Sequence, residues 1–337
     1  MNRTADVVFD LLIALLSAAL VSSVLILIYG QSPLRVYSLM MASTWGSTYG
    51  LGQVLFKATP LCLTGLAVAF AFRGGLFNIG AEGQMTAGAF VAGVAGAMCG
   101  SSLPGPIGVL VVVLCAGLAG GLVGALPGIL KASRGSHEVI VTIMLNFIVS
   151  AIVLYLGKRT FFVEETTHTE LLPEAMRLSS LGLGGSAANT SLLIAIMACV
   201  FVWIFNRYSL KGFDVLALGQ NERAAKASGV PIGKTVVWTM TLSGALAGLA
   251  GVGFVLGHKH YFEEGMGRGM GFMGIAVALL GRNHPIGIFL AALLLGTLNH
   301  GGFAINHLVP REVVEVLQAV LIICVAITMA SNSRRTS

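Results

Sequence analysis

The sequence predicts an all-α membrane protein with about ten transmembrane helices. Of its 337 residues, 56% are hydrophobic and only 10% are charged, and the mean hydropathy is +0.88. A soluble domain carries about 25% charged residues, so this chain lacks the charge to cover a water-facing surface, which excludes a cytosolic globular enzyme. Ten segments of ~20 residues would use roughly 200 residues, close to the hydrophobic share. We therefore expect one polytopic domain over residues 1–337.

The predicted crossings are apolar stretches near 7–29, 54–72, 82–100, 106–130, 138–157, 190–206, 234–257, 270–281, 286–300 and 311–330. The first is too long for a signal-peptide core and lacks a convincing cleavage site, so we interpret it as a retained anchor. Glycine and proline within the stretches are compatible with membrane helices, because neighbouring helices satisfy the freed backbone groups.

The basic residues orient these crossings. An even number of crossings places both termini on one side, and placing them inside puts a modest majority of the 20 Lys and Arg in cytoplasmic positions. We therefore expect both termini to be cytoplasmic. Two long loops follow from this arrangement, an acidic extracytoplasmic loop at 158–189 and a cytoplasmic loop at 207–233.

The cytoplasmic loop contains one short predicted helix. The segment from Asn221 to Ser228 is rich in helix formers, with Asn221 placed to cap its start and Gly229 its end. Pro231 follows and stops the helix from continuing. We expect an amphiphilic helix exposed to the cytosol.

The pattern of crossings indicates two inverted repeats, formed by crossings two to five and seven to ten. Each repeat contains a glycine-rich, interrupted segment, RGGLFNIGAEGQ at 73–84 and GMGRGMGFMG at 265–274. Paired interrupted segments in inverted halves are the best sequence indication of a central translocation path. Glycine-rich helix packing is the alternative reading.

Polar side chains near the crossings are candidates for a role in this path, because burying them in lipid is costly. The candidates are Asn78, Glu82, Gln84, His137, Glu138 and Asn146. Asn78 and Asn146 offer both donors and acceptors to a neutral polar solute, although an amide is also a common tie between membrane helices. Phe77, Phe272 and Met273 are candidates for an apolar wall of the path, with ordinary packing as the alternative.

Several activities are excluded by the motifs. Residues 229–235 read GVPIGKT, which has three residues between the glycines where a phosphate loop needs four, so we expect no ATP site on this chain. No metal-ligand spacing occurs, and the five cysteines lie inside apolar stretches as buried hydrophobes. The net charge of +6 reports membrane sidedness rather than nucleic-acid binding.

Four stretches carry a resemblance to a known family. They read FNIGAEGQ at 77–84, SHEVIVTIMLN at 136–146, GQNERAAKASG at 219–229 and GIAVALLGRN at 274–283. They resemble the permeases of bacterial ABC importers for simple sugars and nucleosides, in the ribose/branched-chain-amino-acid-type permease superfamily, over roughly residues 50–330. The second stretch resembles the nucleoside branch, and the third is similar to the cytoplasmic coupling segment.

This resemblance implies a division of labour in an inner-membrane complex. A separate ATPase subunit would hold ATP and Mg²⁺, this chain would bind no cofactor, and ATP binding would drive alternating access. A second, different permease and an extracytoplasmic solute-binding protein would complete the importer. The ATPase would dock under the coupling segment, at residues Gly219, Asn221, Glu222, Arg223, Ala224, Ala225, Lys226 and Gly229.

Four other readings were weighed at this point. A pentose or other simple sugar is nearly as well supported as a nucleoside. An anionic solute is disfavoured, because no Lys or Arg is clearly placed in the middle of a predicted crossing. An ion-coupled secondary transporter would need acids or a cation site at the midplane, and the acids of this sequence lie mostly in loops or near membrane ends. A membrane transferase would need metal and phosphate motifs, which this sequence lacks.

Overall fold

The computed structural model describes residues 3–100, 103–310, 312–320 and 322–324. Within these ranges the chain is helical, and extended pairing is limited to the isolated bridges Phe162–Thr169, His168–Glu263 and Ser180–Asn189. The predicted all-α membrane class is therefore confirmed.

The helices follow one another closely along the chain. They are α1 (Arg3–Ile28), α2 (Pro33–Thr44), α3 (Thr48–Arg73), α4 (Ala81–Cys99), α5 (Gly105–Arg134), α6 (Glu138–Leu156), α7 (Ser191–Tyr208), α8 (Leu210–Gln220), α9 (Glu222–Ala227), α10 (Ile232–Leu249), α11 (Val252–Phe254), α12 (Met270–Leu280) and α13 (Pro285–Ile305). A π-helical turn extends α6 over Gly157–Phe161, and another follows α11 over Val255–Lys259. Residues 312–320 are helical as well.

Six of the described helices are long and apolar enough to cross a membrane, or seven if the bent pair Leu16–Ile28 and Pro33–Thr44 forms one span. Each of the ten predicted stretches contains helix, although 311–330 is only partly within the described residues. The protein is therefore a multi-pass membrane protein. The count of ten crossings and the inverted repeat stay predictions.

Two helices were missing from the sequence prediction. The first is α2, which has Pro33 at its start and lies at 113° to the second part of α1. Its 12 residues are too few to span a bilayer, which needs about 20, so hydropathy did not reveal it. The second is α8, inside the segment that we predicted as a loop, where the Ser209 hydroxyl accepts the N–H of Gly212 and caps the helix start.

The chain forms two compact units. The first comprises residues 1–58, 183–186 and 293–337, and the second comprises 59–182 and 187–292. The described core of the first unit consists of buried aliphatic side chains, Ile26, Val36, Met40, Ile305, Val309, Val313 and Val314.

The second unit is built on close contacts between glycines of α4, α5 and α10. A Cβ atom on Gly120 would lie 2.6 Å from Cα of Gly248, and one on Gly88 would lie at the same distance from that atom. Gly124 similarly meets the backbone of Gly244. Small residues at these positions let the three helix backbones approach, as is typical of membrane helix packing.

This packing gives a matched pair of substitutions. Gly120→Ala forces a methyl group into the backbone of α10 and is expected to destabilise the protein by about 2 kcal/mol. Gly117→Ala, one turn away on α5, makes ordinary van der Waals contacts, with the side chain of Leu249 at 3.4 Å and the carbonyl oxygen of Ala245 at 3.9 Å. We expect it to be neutral or slightly stabilising, since alanine favours helix over glycine. Thermal unfolding of the purified protein in detergent measures both, and equal melting temperatures would contradict the packing described.

Candidate functional site

The connection between α3 and α4 turns back alongside α3. Arg73 ends α3, and Ala81 begins α4 after a seven-residue break. Within the break, the Asn78 amide donates to the hydroxyl of Ser243 (2.8 Å), and that hydroxyl donates to the carbonyl of Ala67 (2.6 Å). Because Ala67 lies six residues before the end of α3, Asn78 sits ~9 Å back along that helix. Helix α4 thus begins inside the bundle.

Helix α12 also begins inside the bundle. The Thr64 hydroxyl donates to the carbonyl of Met270, the first residue of α12 (3.1 Å). Thr64 lies nine residues before the end of α3, which is ~14 Å along the helix axis. A Cβ on Gly274 would be 2.7 Å from the Thr64 side chain, so α12 and α3 touch closely. Both predicted interrupted segments are therefore breaks in the helical structure.

Glu82 joins the starts of these two short helices. It lies in the first turn of α4, and its two carboxylate oxygens accept the N–H of Gly269 (2.7 Å) and of Gly271 (2.8 Å). The first N–H groups of a helix have no partner within that helix, and the helix dipole favours a negative charge there. The carboxylate of this α4 residue thus accepts two N–H groups at the start of α12, and Gly271 permits the approach because a Cβ would meet the backbone of Glu82.

Asn146 of α6 holds the same region from the other side. Its side-chain oxygen accepts the N–H of Gly83 (2.9 Å), and its amide nitrogen donates to the carbonyl of Ile79 (3.0 Å). Asn146 therefore satisfies one backbone group on each side of the α4 start. Its role here is that of a tie between helices; contact with a solute stays a prediction.

Asn78 and Gln84 form a second tie that is fully buried. The Asn78 amide nitrogen donates to Gln84 Oε1 (2.8 Å), and Gln84 Nε2 donates to Asn78 Oδ1 (3.1 Å). Asn78 Oδ1 also accepts the N–H of Gly80 (3.0 Å). Both side chains are 0% exposed, so in this conformation they present no surface to a solute.

This tie can be measured with a double-mutant cycle. Asn78→Ala strands the buried amide of Gln84 and the N–H of Gly80, at a cost of about 1–3 kcal/mol for each unsatisfied group. The Ser243 hydroxyl loses one donor but keeps its hydrogen bond to the carbonyl of Ala67. Since the two amides bond to each other, the loss in Asn78→Ala, Gln84→Ala is expected to be about 1 kcal/mol or more smaller than the sum of the single losses. Thermal unfolding of the three variants gives the coupling, and strict additivity would show that the two side chains act independently.

The three predicted apolar path residues have different surroundings. Phe77 is half-buried, with its ring edge-to-face against Phe72 at 4.6 Å. Met273 is half-buried, whereas Phe272 is 44% exposed. Of the remaining candidates, Glu138 forms an ion pair with Lys131 (2.6 Å) between α6 and α5, and His137 is the residue before α6.

The coupling segment has the predicted local structure. Helix α9 spans Glu222–Ala227, the Asn221 side chain accepts the N–H of Ala224 (3.0 Å), and Gly229 has a φ of +85° beyond its end. The predicted cap at Asn221, the short helix after it and its end before Gly229 are thus confirmed. Every residue of the segment 219–229 except Ala225 is exposed.

A cavity of about 330 Å³ lies between α8 and α9. Its walls include Phe213 and Ala217 of α8, Ala224 of α9, and Ser228 and Pro231 after α9. Ala225 is buried and anchors α9, with its carbonyl accepting the N–H of Val230 (3.0 Å). The pair of helices thus presents a shaped, small-residue surface with the charged side chains of Arg223 and Lys226 beside it.

The predicted extracytoplasmic loop is ordered and packs on the chain after α11. The N–H of Thr169 donates to the carbonyl of Phe262 (2.9 Å), and the N–H of Leu172 donates to the carbonyl of His260 (2.7 Å). Leu172 and Met176 are fully buried. Over the described residues, no group of three or more His, Cys, Asp or Glu is placed to hold a metal ion.

Some residues of this region carried no sequence signal that we used. Ser243 and Thr64 take part in the contacts above, and nothing in the sequence indicated them. Gly269 and Gly271 are partners of Glu82 and were indicated only by the glycine-rich run 265–274.

The statement that no Lys or Arg lies in the middle of a predicted crossing needs correction. Lys57 lies nine residues into the 26-residue α3, because α3 begins at Thr48, six residues before the predicted crossing. A lysine is therefore placed well inside a membrane-spanning helix.

The family of the chain is shown by comparison with known proteins. Residues 50–326 match the family described as branched-chain amino acid transport system / permease component. The guanosine ABC transporter permease protein NupP of Bacillus subtilis is 38% identical over 95% of this chain and 93% of its own length. The nucleoside ABC transporter permease protein NupB of Lactococcus lactis is 34% identical over 97% and 92%, and the glucose ABC transporter permease protein TsgB13 of Haloferax volcanii is 32% identical over 92% and 85%.

Short helices that begin inside a bundle of apolar spans, with their N-termini brought together, are typical of membrane transport proteins. The sequence matches give the particular family. The chain belongs to the family of permease components of the branched-chain amino acid transport system type, and it is an ABC transporter permease subunit.

Proposed function

We propose that this chain forms the translocation path of an ATP-driven importer for nucleosides. The observation that carries the proposal is the near full-length identity to two permeases named for guanosine and nucleosides, 38% and 34%. The transported solute would be neutral and polar. A separate subunit would bind ATP and Mg²⁺ and drive alternating access, and this chain would bind no cofactor.

In the proposed path, movement of the region where α4 and α12 begin would matter most for alternating access. Glu82 couples the two helix starts, and Asn146 couples α4 to α6. A displacement of one helix is thereby transmitted to the others through hydrogen bonds rather than through lipid. The proposal includes about ten crossings, two inverted repeats around this region, and cytoplasmic termini, as the excess of Lys and Arg on that side favours.

The coupling proposal assigns the α8–α9 surface to the ATPase subunit. Residues Gly219, Asn221, Glu222, Arg223, Ala224, Ala225, Lys226 and Gly229 would form it. Its support is the exposed capped helix α9 and the cavity beside it. Arg223 and Lys226 would pair with acidic side chains of the ATPase, while the small residues allow close seating.

Two further partners complete the proposed complex. A second, different permease would pair with this chain, and an extracytoplasmic solute-binding protein would deliver the solute to the loop at 158–189. The packing of that loop on the segment 256–264 gives a fixed surface suited to docking.

A simple-sugar importer is the second candidate, favoured by the 32% identity to a glucose permease over 92% of this chain. Uptake by the complete complex in proteoliposomes distinguishes the two. We expect ATP-dependent accumulation of labelled guanosine and uridine, with little competition from ribose or glucose. A preference for the sugars would overturn the nucleoside assignment, and uptake that follows a proton or sodium gradient without the ATPase would overturn the ABC mechanism.

A further inference from the structure

A cluster of polar and aromatic side chains lies on α3 and α13 within the first compact unit. Tyr49, Gln53 and Lys57 recur every four residues on α3 and therefore share one face of the helix. The Tyr49 ring lies edge-to-face with the ring of His300 on α13, at 6.2 Å between centroids. Lys57 Nζ lies 5.7 Å from the ring centroid of Phe303, also on α13.

Lys57 lies unusually far inside an apolar helix for a lysine. Nine residues of helix place Lys57 ~14 Å from the start of α3, which is about half of the ~30 Å thickness of a hydrocarbon core. An ionisable side chain at that depth is costly, so it faces protein or a water-filled cavity and marks a functional site by default. The rings of Phe56 and Phe303, each 5.7 Å from Nζ, stabilise the ammonium by cation–π interaction.

The side chains of this cluster are more exposed than the amides at the helix breaks. Asn78 and Gln84 are 0% exposed. In contrast, Tyr49 is 48% exposed, and Gln53, Lys57 and His300 are half-buried. The cluster thus offers polar atoms and ring faces to a molecule beside it, whereas Asn78 and Gln84 offer none.

We propose that Tyr49, Gln53, Lys57 and His300 contact the solute in the translocation path and recognise the base of a purine nucleoside. The inference rests on the proposed function and identifies its solute-contacting residues. The rings of Tyr49 and His300 suit stacking on a base. Lysine suits the paired O6 and N7 acceptors of a guanine-type base, and the Gln53 amide both donates and accepts.

Uptake kinetics of the complete complex test the role of the ammonium. For Lys57→Met we expect the KM for guanosine to rise roughly tenfold or more, with a smaller rise for uridine. Lys57→Arg retains a donor and is expected to recover part of the loss. Arg134→Met, at an exposed basic residue in the last turn of α5, is the matched control and should leave the KM unchanged.

Thiol labelling tests whether this face lines a water-filled path. Gln53→Cys should react with a charged, water-soluble methanethiosulfonate in the assembled complex, and guanosine should slow the reaction. Leu118→Cys, on the 65% exposed apolar face of α5, should not react, and the wild type with its five cysteines is the blank.

The outcomes separate this inference from the proposed function. If wild-type complex imports guanosine but Lys57→Met keeps its KM, or if Gln53→Cys reacts no faster than Leu118→Cys, the cluster does not contact the solute and the inference fails alone. Loss of the second permease from Lys57→Met complexes would also overturn it, because the cluster would then be an interface between permeases. If the wild type imports sugars and no nucleoside, the proposed function fails, and base recognition fails with it.

Discussion

Replacing Ala224 with tryptophan is expected to abolish ATP-driven uptake while leaving the membrane domain folded. Ala224 is exposed on α9 and lines the cavity of about 330 Å³ beside α8. A tryptophan there fills the surface where we propose that the ATPase docks. Loss of a central contact costs about 2 kcal/mol or more at an interface, which weakens docking by roughly 30-fold. Co-purification of the ATPase and uptake into proteoliposomes measure the effect.

Two controls keep this test specific. Ala132→Trp makes the same change at an exposed residue near the end of α5, outside α8 and α9, and should retain uptake. Reversing the charge of Arg223 and Lys226 to glutamate should also release the ATPase, whereas glutamine at both positions should weaken docking less. If Ala224→Trp still binds the ATPase and supports uptake, the coupling surface lies elsewhere.

Ala225 and Gly229 test a different property of the same segment. Ala225 is buried beneath α9, and Gly229 has a left-handed backbone conformation that other residues rarely adopt. A bulky side chain at Ala225 would displace α9 from the chain beneath it, whereas one at Gly229 would strain the turn that ends α9. Both therefore report on the seating of the helix, and Arg223, Ala224 and Lys226 report on docking.

Glu82→Gln is expected to reduce uptake to a tenth of wild type or less. The carboxylate accepts N–H groups from Gly269 and Gly271, and hydrogen bonds to a charged group contribute about 1.5–3 kcal/mol each. The glutamine amide has one acceptor oxygen, so its NH2 group would face one of the two backbone N–H groups. Two donors would then meet without an acceptor between them. The favourable interaction with the helix dipoles is lost as well, which loosens the junction of α4 and α12.

A local measurement separates this effect from general unfolding. Hydrogen exchange of a peptide covering 265–274 should become faster in Glu82→Gln, while peptides from α5 keep wild-type protection. Glu263→Gln is the matched control, because Glu263 forms an exposed ion pair with Lys259 (3.2 Å), of a kind that contributes little. Unchanged exchange at 265–274, or uptake at the wild-type level, would show that Glu82 does not hold the two helix starts together.

Features that depend on neighbouring residues were predictable from the sequence. Hydropathy located helix in each of the ten apolar stretches. Capping chemistry located α9, because Asn221, Gly229 and Pro231 act within a few residues of the helix they delimit. Both helix breaks coincide with glycine-rich runs, because the low helix preference of glycine also acts at its own position in the chain. Helices α2 and α8 escaped prediction because short helices lack the length that makes an apolar period visible.

The functional assignment of the polar residues depended on contacts that no local pattern contains. The sequence singled out Asn78, Gln84 and Asn146 as polar residues in or near the predicted crossings. Ser243, which Asn78 contacts, and Gly83, which Asn146 contacts, lie far from them in the chain. The packing turns these side chains into buried ties. Lys57 was not a candidate from the sequence. It became one because α3 begins at Thr48, which places Lys57 well inside the helix, and because its ammonium lies near the ring of Phe303 on α13.

By itself, the sequence determined that this protein is a helical membrane protein of a permease family, where its helices run, and where two of them are interrupted. These properties follow from composition, from capping residues and from motifs read over about ten residues at a time. Only the tertiary structure decided that the two interruptions meet at one carboxylate, Glu82, 187 and 189 residues before its partners. The physical reason is that a buried backbone N–H must find an acceptor, and which acceptor it finds depends on how distant helices pack.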